Sequence, residues 1–488
     1  VGLVLLPFSL LLGGICLLVS LVQVSYDSWE QLRQRRLNWV LLGLSLGLCA
    51  TAYGAEYPIE AWLGLANFLP CFWFFAGFRE LLQTPAQLRR GAWLVVLGSM
   101  PIALIGLGGL YHLWSGPIRL GGLVDWPLAA GGTPTGRMAS VFAYANVLAS
   151  YIQVAFALNL GLLLEAISVP GPAAVLNSQH NCTRPERTHP DRTDGVEGYD
   201  VKPYVQDISV VADREAGRVR YAGANAPYNA SCNSVPVVTR GLSKAQINII
   251  ILVLALGLNS CTLVLTHSRN AWIVAFLTLL VFGLYQRYYR IIAFLLGLVA
   301  SVFWAAFGPI AQGSFRRIIP AFFWARLTDQ GFDRPVADLR ITQWQFAWSM
   351  TTERPWSGWG LRNFTPLYEA QMGTWLGHPH STFLMLSAET GIPLTLLLMG
   401  VVGWILAQGV QRWHQWRAAI EPGTGHLGDR WVLFTYLVSF GGCAVFSSFD
   451  VTFFDFRVNL LNWFLLAAIA GVCGDRPSPT PASPSPKC

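Results

Sequence analysis

The residues of this sequence best suited to chemistry stand where apolar runs end. Arg137 opens GRMASVFAYANVLASY, Arg269 lies in THSRNAW and Arg354 lies in ERPWSGWG. An arginine at the end of a membrane helix usually snorkels to the interface. Three of them on one face, each beside small or polar residues, suit a different task. Guanidinium groups stay charged at every relevant pH and bind paired oxygens, so they are a natural clamp for a phosphate or diphosphate. At a bilayer surface such a ligand is expected to be a lipid diphosphate.

His380 ends a polar loop in GHPHS and leads directly into the next apolar run. Histidine has the ordinary pKa to take a proton from a hydroxyl nucleophile near neutral pH. The bland alternative is an interfacial histidine beside a helix cap, with Ser381 the more usual capping residue. His378, two residues earlier, is a possible stand-in. No metal is expected, because the two histidines have no acidic or cysteine cluster at ligand spacing beside them, and no cofactor is called for. Asp450 and Asp455 lie in SSFDVTFFDFR, close enough to hydrocarbon to be candidates; pairing of Asp455 with Arg457 or another loop arginine is the plainer account. Ile341, Trp344 and Trp348 fall at i, i+3 and i+7, which predicts a helix with one aromatic face at an interface. Pro355, Gly358 and Gly360 should end it.

The elements that must position these residues are set by composition. Of 488 residues, 53% are hydrophobic and 12% charged, about half the charged share of a soluble domain. This predicts an all-α, polytopic membrane bundle of about 11–12 helices. The expected spans are 1–22, 38–54, 58–78, 92–112, 138–166, 245–266, 271–285, 289–311, 381–408, 430–449 and 455–473. Basic loops at Arg33–Arg36, Arg79–Arg90, Arg287–Arg290 and Arg412–Arg417 all fall on one side, expected to be cytoplasmic. The long loop 312–380 and the candidate residues then face the other side. Val1 also falls there, so either the N-terminus is translocated or, the preferred expectation, a first span is missing or misassigned. The net charge of +7 reflects these short loops and gives no case for nucleic acid.

In order, the chain reads as N-terminal spans 1–166, a polar insertion 167–244, central spans 245–311, the loop 312–380, C-terminal spans 381–473 and a Pro/Ser tail 474–488. The insertion is expected to be weakly ordered, with short strands at Val201–Val211 and Val235–Thr239. Its NCT and NAS triplets, at Asn181 and Asn229, carry no weight on a cytoplasmic side, where a Cys182–Cys232 disulfide is also not expected. The tail is expected to be disordered.

The run HSTFLMLSAETGIPLT resembles the signature of the O-antigen ligase and polymerase superfamily of bacterial membrane glycosyltransferases, through His380, Ser381, Gly391 and Thr395. RMASVFAYANVLASY is similar to its arginine-to-asparagine segment, with Arg137 and Asn146. THSRNAW and ERPWSGWGLRNF resemble two further elements. The resemblance covers most of Arg137–Thr395; the first half is similar to cyanobacterial members, one branch of which is labelled as bicarbonate transporters. It implies inverting, metal-independent transfer of a glycan from undecaprenyl diphosphate to an acceptor hydroxyl, on lipid A-core or a glycan. The site would face the periplasm from the inner membrane. His380 would be the general base, and Arg137, Arg269 and Arg354 the diphosphate clamp. The insertion and the span count depart from the pattern. Transport of bicarbonate or another small anion is the alternative, since the same arginines attract anions, but no internal repeat accompanies it and the polar residues cluster at one membrane face.

Overall fold

The structure is a computed structural model and describes residues 1–114, 116–120, 124–168, 209–212, 219–222, 243–310, 312–328, 336, 339–418 and 426–474. The chain forms two units, Val1–Val169 with Ala245–Cys488, and Pro170–Lys244. In the second unit, Ser209–Ala212 pairs antiparallel with Val219–Ala222. The expected strand 201–211 overlaps the first of these. Cys182, Cys232, Asn181, Asn229, Val235–Thr239 and the tail from residue 475 lie outside the described residues.

The first unit is a helical bundle, and the protein is a multi-pass membrane protein. Among the described residues ten helices are long and apolar enough to cross a bilayer. The eleventh expected span is the helix Arg36–Tyr53. It is less apolar than those ten, with Arg36 and Asn38 in its first turn. Two corrections to the expected spans have local causes. The first run is broken: Pro7 has no N–H to give a helix, and Ser9 caps a fresh start by accepting from the Leu12 N–H. The span expected from 138 begins only at Ala145. Residues 137–144 stay irregular because their backbone bonds outward, with Met138 N–H donating to Leu265 O at 2.9 Å and Ser140 in the left-handed region at φ 56°.

Two helices occupy the centre. Ala145–Ser168 and Phe456–Cys473 are 89% and 83% buried, against 17% for Leu10–Asp27 and Tyr289–Phe307. In a bilayer, apolar burial does not favour helix pairs over lipid, so close packing and interhelical hydrogen bonds must hold them. Gly161 supplies the close approach. Its carbonyl accepts from Trp431 Nε1 at 2.6 Å, and a Cβ there would sit 2.3 Å from Thr435. Farther along this contact, Gln153 Nε2 reaches Cys443 Sγ at 3.2 Å. At the end of the contact, Ser150 and Thr452 share a hydrogen bond of 2.9 Å. That bond sets the turn after Phe449 against the start of the Ala145 helix.

Gly161→Ala improves intrinsic helix propensity yet is expected to destabilise by about 1–3 kcal/mol through overpacking. Gly257→Ala, where an added Cβ meets nothing within 4 Å, is the control. Thermal unfolding of both variants in one detergent checks this, and equal transitions would contradict the packing account.

Candidate functional site

The loop before His380 closes on itself through backbone geometry. His380 adopts φ 53°, an uncommon conformation that marks a constrained position in a non-glycine residue. Its N–H donates to His378 Nδ1 at 3.1 Å, and the two rings meet edge to face with centroids 4.5 Å apart. His378 is backed by the stacked ring of Phe454 at 5.9 Å. Burial, together with the charges of His380 and Arg340, pulls the His378 pKa down to about 4 against the opposing pull of Asp450. His378 is therefore neutral at neutral pH.

Asp450 is the partner that joins the histidines to the arginine. It is 2% exposed and follows the last turn of the helix His426–Phe449. Oδ1 accepts from His380 Nδ1 at 3.0 Å and from the Val451 N–H at 2.9 Å. His378 Nε2 stands 3.6 Å from the same oxygen. Oδ2 accepts from Asn146 Nδ2 at 2.6 Å. Burial works to raise the Asp450 pKa, but the His380 hydrogen bond, both imidazoles and the Val451 N–H outweigh it and hold the carboxyl below its ordinary range. An ionised carboxylate can only accept. His380 Nδ1 must then carry a proton in this hydrogen bond, and in the neutral imidazole Nε2 is the nitrogen with the lone pair.

Asn146 continues the relay by accepting from Arg137 Nη2. Arg137 Nε donates to Thr266 O at 2.9 Å, which sets this arginine against the turn that leads to Arg269. Arg269 is the first residue of its helix, and the neighbouring Asn270 Nδ2 donates to Phe449 O at 3.3 Å. The starts of two helices and the end of a third thus gather around Asp450. Arg354 is engaged elsewhere, 3.2 Å from Glu56 and over the Trp359 ring at 3.8 Å. Asp455 chelates Arg457, whose Nη1 donates to Val141 O at 3.0 Å. This pair holds down the strand of chain that carries Arg137.

The glycine of the histidine run has a mechanical role. The helix Thr382–Ala418 is interrupted at Gly391, with φ 77° and ψ 163°, a region open essentially to glycine alone. The interruption exposes backbone groups that the PWSGWG turn satisfies. Trp359 N–H donates to Ala388 O at 3.0 Å, Gly360 N–H to Glu389 O at 2.8 Å and Ile392 N–H to Pro355 O at 2.8 Å. The buried Glu389 side chain accepts from the Phe364 N–H at 3.4 Å. The predicted aromatic helix is Arg340–Glu353. Ile341 and Trp348 face outward, 57% and 51% exposed. Phe346 on the other side meets Phe364 and Tyr368 at ring distances of 5.7 and 5.0 Å.

Sequence reasoning had no partner for the histidines, because Asp450 lies 70 residues from His380. The expectation that no acid stands beside them is corrected: the fold supplies one. It also missed Glu389 and the charge of Arg340 near His378. The sequence signal was a charged residue at the edge of an apolar run for Arg340 and within one for Glu389.

Residues 252–399 match a family model described as O-antigen ligase. The likeness to that family is confined to this stretch. The matched stretch contains Arg269, Arg354, His378, His380 and Gly391, while Arg137, Asn146 and Asp450 fall outside it. No curated protein matches the chain significantly. An O-antigen ligase segment within a multi-pass helical bundle supports a ligase- or polymerase-type role in glycan transfer at a membrane.

Gly391→Ala is expected to cost about 1–3 kcal/mol from the backbone conformation alone, with more from the added Cβ, which would lie 2.6 Å from Trp356 O. The turn should detach from the helix. Faster hydrogen exchange at Trp359, Gly360 and Ile392 than in the parent protein is the readout.

Proposed function

We propose that the protein transfers a glycan from undecaprenyl diphosphate to an acceptor hydroxyl in a single inverting displacement, at the periplasmic face of the inner membrane and without a metal cofactor. The observation that carries this reading is the unbroken relay Arg137–Asn146–Asp450–His380. The acceptor O–H gives its proton to the His380 Nε2 lone pair as its oxygen attacks the anomeric carbon. The bond to the diphosphate oxygen breaks on the opposite face, and the departing negative charge falls to Arg137 and Arg269. Asp450 holds the imidazole in the required tautomer and stabilises the imidazolium that forms, as a buried carboxylate does for a catalytic histidine elsewhere. Arg354, tied to Glu56 and Trp359, secures the PWSGWG turn in this scheme and takes no part in the clamp.

A lipid-linked donor also needs an apolar lane. A groove of about 430 Å³ begins at Ser381 and Ser447, one and three residues from His380 and Asp450, and continues past Leu386, Val402, Phe440 and Trp463. Its chemistry suits an isoprenoid chain whose diphosphate stays at the polar end. Gly403 lines this groove with open space around it. Gly403→Phe should raise KM about tenfold for a long-chain donor and leave a short-chain analogue little affected; equal changes for both donors would argue against the lane.

The direct test uses purified protein in nanodiscs, an undecaprenyl-diphosphate oligosaccharide, and lipid A-core and glycan acceptors. Acceptor-dependent release of undecaprenyl diphosphate is expected, and the productive acceptor separates ligase from polymerase. His380→Ala should lower kcat by about 10²–10⁴-fold, and Asp450→Asn should lower it by at least about tenfold, each measured on protein that keeps a cooperative thermal transition. Parental turnover in His380→Ala would overturn the mechanism. No release with any acceptor, together with bicarbonate flux in proteoliposomes, would favour small-anion transport instead.

A further inference from the structure

We propose that His378, His380 and Asp450 form a binding site for a divalent transition-metal ion of the zinc class, and that the bound ion blocks glycan transfer. Binding stands on geometry alone; the block rests on the function proposed above. One ligand atom from each residue lies within 4.8 Å of the other two. Asp450 Oδ1 is 3.0 Å from His380 Nδ1 and 3.6 Å from His378 Nε2. Four-coordinate zinc with bonds of about 2.0–2.1 Å has ligand–ligand edges of about 3.3 Å. The two edges to Asp450 Oδ1 bracket that value, so turning the two rings toward the carboxylate brings the set onto an ion.

The donor set chooses the metal. Two imidazole nitrogens and one carboxylate oxygen suit zinc, cobalt or nickel, whereas magnesium and calcium take oxygen ligands. Two histidines and a carboxylate leave a fourth position open for water. The carboxylate is also supported from behind, as metal-binding carboxylates commonly are: Asp450 Oδ2 accepts from Asn146. His378, ligating through Nε2, carries its one ring proton on Nδ1 and gives up the bond from the His380 N–H, a cost to affinity. The positive charge of Arg340, which acts on His378, works against the cation and limits its affinity.

The block follows from the tautomer. A neutral imidazole carries one proton. When the metal takes the Nδ1 lone pair of His380, that proton resides on Nε2, and Nε2 can no longer accept from an acceptor hydroxyl. No redox change or co-reactant is involved. The Nδ1–H···Oδ1 hydrogen bond is replaced by two metal–ligand bonds to the same atoms.

The experiment uses tag-free full-length protein, stripped with a chelator and titrated with Zn²⁺ by calorimetry and with Co²⁺ by visible absorption. One ion per chain is expected, with Co²⁺ ligand-field bands that Zn²⁺ abolishes. His378→Gln and Asp450→Asn should each weaken binding at least about tenfold, whereas His414→Gln, a ring elsewhere in the protein, should not. The parental Co²⁺ spectrum reports nitrogen ligation without any variant, so misfolding of a variant does not end the test. Absence of ligand-field bands, or Zn²⁺ affinity unchanged in His378→Gln, would overturn the site. Stoichiometric binding with transfer unaffected would overturn the block while leaving the site in place.

Discussion

The structure around the candidate site depends on one buried carboxylate. Asp450 is almost sealed from solvent and accepts hydrogen bonds from His380, Val451 and Asn146. A buried charge without such partners is costly, and a hydrogen bond to a charged group is worth about 1.5–3 kcal/mol. The loop histidine, the first turn of the Ala145 helix and the turn after Phe449 are thus not independent. Each is held where it is because the same two oxygens require donors. The Asp455–Arg457 pair acts a few residues away as a brace, holding the irregular chain around Arg137 at the height where Asn146 can reach both neighbours.

Much of this was legible in the sequence, for reasons that differ by residue. Membrane helices announce themselves through local composition, so their number and approximate limits could be read without any tertiary knowledge. Arg137, Arg269, His378 and His380 were visible because charged and titratable groups stand out at the ends of apolar runs. The break at Gly391 was only a spacing in the sequence. Its meaning depends on Trp356 and Gly358 lying against it, a contact made across more than thirty residues. The start of the Ala145 helix was misplaced because MASVFAY is apolar enough to span. Its backbone is diverted to Leu265, a preference that no local rule contains.

The least legible fact was the pairing of Asp450 with the histidines. Each residue was noticed by itself, and the only pairing the local sequence offered was that of the neighbouring Asp455 with an arginine such as Arg457. Sequence distance was a poor guide because a helical hairpin returns the chain to the same end of the bundle. The absence of an acid next to GHPHS therefore said nothing about whether an acid would stand there after folding. Arg354 shows the converse. Its position in the chain suggested company with the other arginines, yet it is occupied by Glu56 and the face of Trp359.

The order of the partners along the chain has a consequence for biogenesis. Arg137 and Asn146 enter the membrane early, the histidine loop follows more than two hundred residues later, and Asp450 emerges only as the penultimate long helix of the described chain is completed. Until then His380 has no carboxylate to orient it. A nascent or truncated chain therefore lacks an oriented His380 imidazole however well its earlier helices have inserted. Competence of the site arrives in one late step, and the last helical hairpin is what confers it.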